Sequence, residues 1–289
     1  MSSRTHPEPI WNWKEGSQNI IRHDFTGDPG VNVDLTDSSP IIDYFLSYYD
    51  EAIHQNLYEQ TNLFAQQRIS KGNLKPYSRL KKWTPTSDVE MKRMLGMTVG
   101  MGLTEQREIV DYWSSDPLTE TPFYGRCMSR DRFLALLSNF HLNDNTKDLP
   151  RDSPDRDKLF KIRPFIDALK KNFESVYIPS KQMAIDEATI PWRGNLSFRV
   201  YNPDKPHKFG IKIYELCDRN GICVRFEIYS GKVDSSTKGA IHDLIMRLME
   251  PYLDQGYDIF FDNFYNSPQL VIDLLERGKK YFIFKCYCL

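Results

Sequence analysis

At two places in this sequence, acidic residues follow short apolar runs. Active-site residues commonly occupy such positions at the ends of strands. The run Met183–Ile185 leads into Asp186 and Glu187, and the run Ile259–Phe261 leads into Asp262. In open α/β sheets, active sites gather beyond the carboxyl ends of the strands. If these two strands are neighbours, Asp186 and Asp262 would share divalent ions, and their hard oxygen ligands favour Mg²⁺ or Mn²⁺ over zinc.

The chemistry of such a site would be phosphoryl transfer. Two bound ions activate water or a 3′-hydroxyl and stabilise the leaving oxygen of a phosphodiester. The alternative is that Asp186 and Asp262 only end their strands or begin turns, which aspartate commonly does. The residues alone leave both interpretations open.

A basic stretch lies between the two candidate ligands, opposed only by Asp204 and Glu215. Beside an acidic metal site, its cations would hold a phosphate backbone and balance the charge of the acids. The alternative is an exposed hairpin with a solvated basic face. The candidate DNA-binding residues, here named the hairpin basic strip, are Arg193, Arg199, Lys205 and Lys208.

A second basic stretch, Gln66–Lys82, contains six Lys or Arg residues and no acid. Tyr77 lies within it and Trp83 follows it. Clustered Lys and Arg neutralise backbone phosphates and release counterions, although a solvated loop has the same composition. The candidate DNA-binding residues, here named the helical basic strip, are Lys75, Arg79, Lys81 and Lys82.

The elements that must position these residues begin with helices. Apolar residues recur at helical spacing over 41–57, which predicts one long amphipathic helix. Ser87–Glu90 forms a capping box for a further helix, and helices are also predicted after Ser129 and Pro164. Residues 40–177 are therefore expected to be helical.

After Pro179 the hydrophobic period shortens towards two, which predicts strands. Strands followed by an alternating helix, strand and helix indicate a mixed sheet covered by helices. The fold class is therefore α/β, more strictly α+β, with a helical region before the sheet. The predicted strands are 183–185, 196–201, 209–216, 222–229 and 259–261, and the predicted later helices are 241–252 and 268–275.

The composition fits a folded protein and excludes several classes. The 289 residues are 40% hydrophobic, and the net charge of −1 excludes a uniformly basic nucleic-acid binder. No apolar stretch approaches the ~20 residues that span a bilayer, and no secretory signal is expected. The five cysteines form no CxxC pair, which favours a reducing intracellular compartment. Residues 1–37 are polar and predict a flexible arm with a turn at 28–30.

A series of short motifs runs in order from about Phe25 to Gly278. The motifs include Phe25-Thr26-Gly27, Glu59-Gln60-Thr61-Asn62, Met128-Ser129-Arg130-Asp131-Arg132-Phe133, Lys161-Ile162-Arg163-Pro164, Ile185-Asp186-Glu187, Pro203-Asp204-Lys205-Pro206, Phe209-Gly210-Ile211-Lys212 and Asp262-Asn263-Phe264-Tyr265. In this order they resemble the piggyBac transposases and their domesticated derivatives.

The resemblance implies a domain plan and a function. It implies a helical dimerisation and DNA-binding region over 38–178, then a partial, incomplete RNase H-like catalytic-type domain over 179–289. The implied activity is metal-dependent cut-and-paste DNA transposition at TTAA targets, with Asp186 as the first catalytic aspartate and Asp262 as the second. It also implies DNA as the partner, no small-molecule substrate, a nuclear location and a capacity to form a homodimer.

The chain departs from the family pattern at its C-terminal end. The family's third aspartate lies well downstream of the second, and a cysteine-rich zinc domain follows it, whereas this sequence breaks from the pattern after Gly278 and ends at Leu289. We therefore expect a truncated or alternatively terminated product. Cys286 and Cys288 form a lone CxC, which has too few ligands for a metal site.

Three functions compete. The preferred one is a transposase-derived DNA-binding protein without catalysis, because the third acid is absent and the basic strips suffice for binding. A Mg²⁺- or Mn²⁺-dependent transposase or nuclease would need a further acid, and no spacing argument brings Asp218, Glu227 or Asp234 to the pair. An incompletely folded fragment would instead expose an apolar sheet edge around Phe260 and Phe261.

Overall fold

Helices dominate the first part of the fold and a sheet the second. The computed structural model describes residues 24–231, 236–277 and, as backbone only, 280–284. The helices are α1 (Ile41–Tyr48), α2 (Glu51–Ser70), α3 (Asp88–Met101), α4 (Pro122–Cys127), α5 (Arg130–Asn139), α6 (Arg163–Val176), α7 (Ala240–Met249) and α8 (Pro268–Glu276). The strands are β1 (Gly30–Val31), β2 (Tyr177–Ile178), β3 (Gln182–Pro191), β4 (Val200–Tyr201), β5 (Phe209–Asp218), β6 (Cys223–Ile228), β7 (Asp258–Asp262) and β8 (Lys280–Phe284). The predicted α+β class is confirmed.

The prediction of a single long helix over 41–57 is wrong, because the helix is interrupted at Asp50. The Asp50 carboxylate accepts a hydrogen bond from the Ile53 amide at 2.9 Å and so caps the N-terminus of α2. α2 then continues to Ser70, into the basic stretch that follows. The cap therefore begins a new helix, although the hydrophobic period continues from one helix into the next.

The helical region packs around a methionine-rich core. Ser87 caps α3 by accepting a hydrogen bond from the Glu90 amide at 3.3 Å, so half of the predicted capping box forms. The Glu90 carboxylate binds Arg132 of α5 instead of turning back to its own helix. The buried residues of this core are Leu57, Met91, Met94, Met97, Tyr112, Tyr124, Met128, Phe133 and Leu136.

One mixed sheet has the strand order β4-β5-β3-β7-β8, and β6 also pairs with β5. β3 runs antiparallel to β5 and parallel to β7, and β7 runs parallel to β8. The strand predicted over 196–201 shortens to β4, since residues 196–199 form a turn. β3 is therefore an interior strand with β5 on one side and β7 on the other.

Helices α7 and α8 contribute their apolar faces to the core of the sheet. Ile185 and Phe261 are both 2% exposed on this core face. The exposed edge that the fragment alternative predicts around Phe260 and Phe261 does not occur in the described structure, because β8 pairs with β7 from Asp258 to Asp262. The buried residues at the centre of this core are Leu216, Val224, Ile245, Met249, Ile259, Leu270 and Leu274.

The described part of the predicted N-terminal arm, residues 24–37, lies against the rest of the molecule. The Phe25 ring packs edge-on against Tyr257 with centroids 4.8 Å apart, and the Thr26 amide donates to the Gln255 carbonyl at 3.2 Å. β1 then pairs antiparallel with β2. The arm prediction is therefore corrected for residues 24–37, while residues 1–23 lie outside the described part of the chain.

Within the described ranges, none of the helices combines the length and the apolar character needed to cross a bilayer.

Candidate acid pair and nucleic-acid interface

The register of the sheet brings the two predicted metal ligands to adjoining positions. β3 and β7 are parallel, and their last paired residues are Ile185 and Phe261. Asp186 and Asp262 each follow these residues directly, on strands that lie about 4.8 Å apart. The two aspartates, here named the acid pair, thus stand side by side where the β3–β7 pairing ends. Asp262 is the last residue of β7, but β3 continues past Asp186 to Pro191 in pairing with β5, so the prediction that Asp186 ends its strand is wrong.

Alternation along the strands places the acid pair on one face of the sheet. Because Ile185 and Phe261 are buried on the core face, Asp186 and Asp262 project from the opposite face. Both aspartates are exposed, and the Asp186 Oδ1 accepts a hydrogen bond from the Glu187 amide at 2.7 Å. Neither carboxylate forms an ion pair among the described residues.

The neighbouring acid Glu187 is already neutralised. Its carboxylate pairs with Lys212 of β5, whose ammonium lies 4.7 Å from the Tyr214 ring centroid and 5.6 Å from that of Phe264. Burial alone would lower the pKa of Lys212, but the Glu187 carboxylate and the Tyr214 side chain outweigh burial and raise it. Glu187 is therefore held as a structural partner, whereas the carboxylates of the acid pair form no ion pair with a described residue.

Tyr265 lies beside these acids, and the sequence reasoning did not select it. Its side chain is 2% exposed, and its Oη is buried without a hydrogen-bond partner. Burial raises the pKa of the Tyr265 hydroxyl, and the charges of Glu187, Asp186 and Asp262 raise it further. The signal available in the sequence was its place in Asp262-Asn263-Phe264-Tyr265, where a phenol follows the candidate ligand by three residues.

Glu215 is a further acid near the acid pair, and the sequence motifs assigned it no role in the site. It stands directly opposite Asp186 across the β3–β5 pair. Among the acids considered earlier, Asp218 accepts hydrogen bonds from Tyr177 and Asn220, and Glu227 binds Arg247. Asp234 lies outside the described residues. Across the described ranges, no group of three or more His, Cys, Asp or Glu side chains is arranged to hold an ion.

The hairpin basic strip spans the connection from β3 to β5, and its members differ in their contacts. Arg199 donates to the carbonyls of Arg193 and Gly194 at 3.1 and 3.2 Å, and its guanidinium lies 4.8 Å from the Phe209 ring centroid. Arg199 therefore braces the hairpin. The Arg193 and Lys208 side chains are exposed, Lys205 is half-buried, and none of these three forms an ion pair within the described ranges.

The helical basic strip surrounds a short 3-10 helix, Arg79–Lys82, between α2 and α3. Leu80 is 4% exposed and anchors this helix, so the cations around it face outward. Arg79 binds Asp131 at 3.0 Å, and this guanidinium lowers the pKa of the Asp131 carboxyl. The lysines of the strip are exposed and form no ion pair with any described acid; they are Lys75, Lys81 and Lys82.

The donor types of the acid pair fit the ion that the sequence predicts. Carboxylate oxygens are hard ligands, and the two aspartates face one side of the sheet with no cation beside them in the described structure. Asp186 and Asp262 are the residues that would hold Mg²⁺ or Mn²⁺.

Comparison with known proteins defines the class of protein to which this chain belongs. A family model described as Transposase IS4 matches residues 41–282, so the match extends beyond Gly278, where the likeness was expected to end. The fold is also that of a solved transposase. The cryo-EM structure of a piggyBac transposase synaptic complex with hairpin DNA matches with a TM-score of 0.69 and 23% identity, over 84% of this chain and 49% of that chain.

Two human relatives give the narrower assignment. PiggyBac transposable element-derived protein 2 is 23% identical over 284 residues, 95% of this chain and 44% of that protein. PiggyBac transposable element-derived protein 5 is 23% identical over 286 residues, 92% of this chain and 49% of that protein. The chain belongs to the piggyBac transposase family, as predicted, and it spans less than half the length of these relatives.

Proposed function

We propose that this chain is a transposase-derived DNA-binding protein that acts in the nucleus and binds DNA without cutting it. The observation that carries the proposal is the helical basic strip, whose lysines are exposed and form no ion pair with any described acid. Such cations bind phosphates and release counterions, which supplies most sequence-independent affinity. Tyr77, in the same segment, is 99% exposed and gives bases a ring to stack on.

Two further features support this proposal. The hairpin basic strip adds Arg193 and Lys208 as exposed cations on the sheet domain. The solved relative with the same fold is a synaptic complex with hairpin DNA. We extend that partner class to this chain because the cations recur on both the helical and the sheet parts of the fold.

The test is the salt dependence of DNA binding. In the triple variant Lys75→Glu, Lys81→Glu, Lys82→Glu, the affinity for a duplex is expected to fall at least about tenfold. The slope of log K against log[salt] is expected to decrease by about 0.9 for each lost phosphate contact. Fluorescence anisotropy over a salt series measures both quantities.

The matched control reverses three exposed lysines outside the strip, Lys147, Lys161 and Lys171. It changes the net charge equally, so it separates a local phosphate contact from the overall field. The proposal predicts that the control loses less affinity and keeps the parental salt slope. Equal losses in the two triple variants would contradict it.

A second candidate function is metal-dependent DNA cleavage, and the acid pair is the observation that favours it. Asp186 and Asp262 adjoin where the β3–β7 pairing ends and share a face, so they suit one hard divalent ion. A bound ion supplies an activated water and stabilises a leaving oxygen. The protein's own contribution is to hold two carboxylates in adjoining register and to bind the phosphate backbone with nearby cations.

Nicking of supercoiled DNA decides between the two candidates. DNA binding alone predicts no nicking with Mg²⁺ or Mn²⁺. Metal-dependent nicking that Asp186→Asn or Asp262→Asn abolishes, and that Asp204→Asn leaves unchanged, would establish cleavage. The same variants, titrated with Mn²⁺ and followed by electron paramagnetic resonance, report ion binding separately from activity. Homodimer formation is also proposed, and sedimentation of the purified chain tests it.

A further inference from the structure

Two cysteines face each other across the β5–β6 pair. Cys217 and Cys223 are register partners in adjacent antiparallel strands, with a local irregularity between Leu216 and Cys217. Directly opposite residues in antiparallel strands have Cα atoms about 4.5–5.5 Å apart. Disulfides form across Cα separations of about 4.4–6.8 Å. A register pair of this kind therefore falls within the range of Cα separations that a disulfide spans.

The turn that joins the two cysteines is fixed by hydrogen bonds. The Asp218 carboxylate accepts from the amides of Asn220 and Ile222 at 2.7 and 3.2 Å, and the Asp218 amide donates to the Ile222 carbonyl at 2.9 Å. The Tyr177 hydroxyl binds the other carboxylate oxygen at 2.7 Å. Because this turn is anchored at both ends, the flanking cysteines are held in their opposed positions.

The two thiols interact and remain reachable. Cys217 and Cys223 are both half-buried, and the Cys223 thiol donates a hydrogen bond to the Arg225 carbonyl at 3.3 Å. The neighbouring Cys223 thiol lowers the pKa of the Cys217 thiol, although burial and the charges of Glu215, Asp218 and Asp186 oppose the effect. Cys217, with burial, raises the pKa of Cys223. Cys217 is therefore the better nucleophile of the two.

We propose that Cys217 and Cys223 form a dithiol redox site, which reacts with a small disulfide such as oxidised glutathione to give a reversible disulfide across β5 and β6. No residue of the acid pair or of the basic strips takes part in the reaction. Its substrate class is a low-molecular-weight disulfide as oxidant and the corresponding thiol as reductant.

The reaction proceeds by two thiol–disulfide exchanges. Cys217 loses its proton to solvent, and its thiolate attacks one sulfur of oxidised glutathione. The glutathione S–S bond breaks, a mixed disulfide forms on Cys217, and one glutathione leaves and takes up a proton. Cys223 then loses its proton and attacks the Cys217 sulfur, which releases the second glutathione. Two protein thiols and one oxidised glutathione thus become one protein disulfide and two reduced glutathiones.

The second step also follows from the pair's geometry. In the mixed disulfide, Cys223 already lies across the strand pair from the sulfur that it attacks. The mixed disulfide is therefore expected to be short-lived.

Mass spectrometry after tryptic digestion tests the proposal, because cleavage after Lys212, Arg219 and Arg225 places the two cysteines in separate peptides. The full chain is treated with oxidised glutathione in its native state, remaining thiols are blocked with an alkylating reagent, and the sample is digested without reductant. The expected product joins peptides 213–219 and 220–225, lighter by two hydrogens than their sum. Added reduced glutathione is expected to reverse the linkage.

Two variants and one control complete the experiment. Cys223→Ser is expected to stop at a stable glutathione adduct on Cys217, whereas Cys217→Ser is expected to leave Cys223 mostly unmodified. Cys127 is equally half-buried and serves as the internal reference for ordinary thiol exchange. The proposal is overturned if the linked peptides do not form while Cys127 is modified, or if the Cys217 adduct persists in the parental chain. A link from either cysteine to any other would also overturn it.

Discussion

Two buried tyrosine hydroxyls lie close to carboxylates in this sheet, and they differ in their hydrogen bonds. The Tyr177 Oη donates to Asp218 at 2.7 Å, whereas the Tyr265 Oη has no partner in the described structure. A buried hydroxyl that lacks a partner costs about 1–3 kcal/mol of desolvation. The unpartnered Tyr265 hydroxyl therefore destabilises the folded state beside the acid pair, whereas the Tyr177 hydroxyl does not.

Removing each hydroxyl should have opposite effects on stability. Tyr177→Phe is expected to lower the free energy of unfolding by about 2 kcal/mol, because it deletes a hydrogen bond to a charged acceptor. Tyr265→Phe is expected to leave that free energy unchanged or to raise it by about 1 kcal/mol. Urea denaturation followed by far-UV circular dichroism measures both. A larger loss in Tyr265→Phe than in Tyr177→Phe would show that the Tyr265 hydroxyl has a partner.

Among single residues, the sequence predicted those whose position follows from the local hydrophobic pattern. Asp186 and Asp262 were selected because each follows an apolar run, although β3 continues past Asp186 to Pro191 and only Asp262 ends its strand. Tyr265 and Glu215 were missed because their significance depends on register and burial, which arise from pairing between distant segments. The chemical roles of all these residues stay predictions.

Among the elements, α3 and α5 are joined by a bidentate ion pair. Arg132 donates to the Glu90 carboxylate through Nε at 2.7 Å and Nη2 at 2.5 Å, and the Thr86 hydroxyl donates to the same group at 2.7 Å. The Arg132 guanidinium also lies 4.9 Å from the Trp83 ring centroid. The hydrogen bond from Arg132, supported by Thr86, lowers the pKa of Glu90 although burial opposes it.

The ion pair predicts a pH-dependent contribution to stability. Because the folded-state pKa of Glu90 lies below the ordinary glutamate value of 4.5, its contribution is fully present above about pH 4.5 and is lost as the pH falls through the folded value. Glu90→Gln is expected to lower the free energy of unfolding by about 1.5–3 kcal/mol at pH 7 and by less in acid. Thermal unfolding over a pH series measures this difference.

The control for this prediction is Glu105→Gln, because Glu105 is exposed and has no described hydrogen bond or ion pair. Its effect is expected to stay within about 0.5 kcal/mol at every pH. A Glu90→Gln effect that did not shrink in acid would contradict the assigned role of the charge.

Element type was predictable where the hydrophobic period is long and clear, as in α6, α7 and β5. The interruption between α1 and α2 at Asp50 was not predictable, because the apolar period continues on both sides of it. Only the cap geometry separates the two helices. The order of the strands was inferred by analogy, since parallel pairing of β3 with β7 joins segments that are far apart in the chain. The acid pair depended on that order.

For the whole molecule, the chain before α1 links regions that are distant in sequence. Thr26 binds the backbone at Gln255, just before β7, and β1 pairs with β2 at the end of the helical region. Gly256 permits the first contact, since it has a φ of +75° and its position leaves room for the Asp24 carbonyl. A Cβ at Gly256 would lie 2.3 Å from that oxygen.

Gly256→Ala is therefore expected to displace the segment around residues 24–27 as well as to strain its own backbone. The matched control is Gly221→Ala, where φ is +80° and an added Cβ would meet nothing within 4 Å. The control is expected to lose about 1–2 kcal/mol from backbone strain alone. Gly256→Ala should lose more and should speed hydrogen exchange of the Thr26 amide, which the control should leave protected. If both variants exchange Thr26 at the parental rate, the segment does not depend on Gly256, and the close approach at that glycine has no part in joining the two regions.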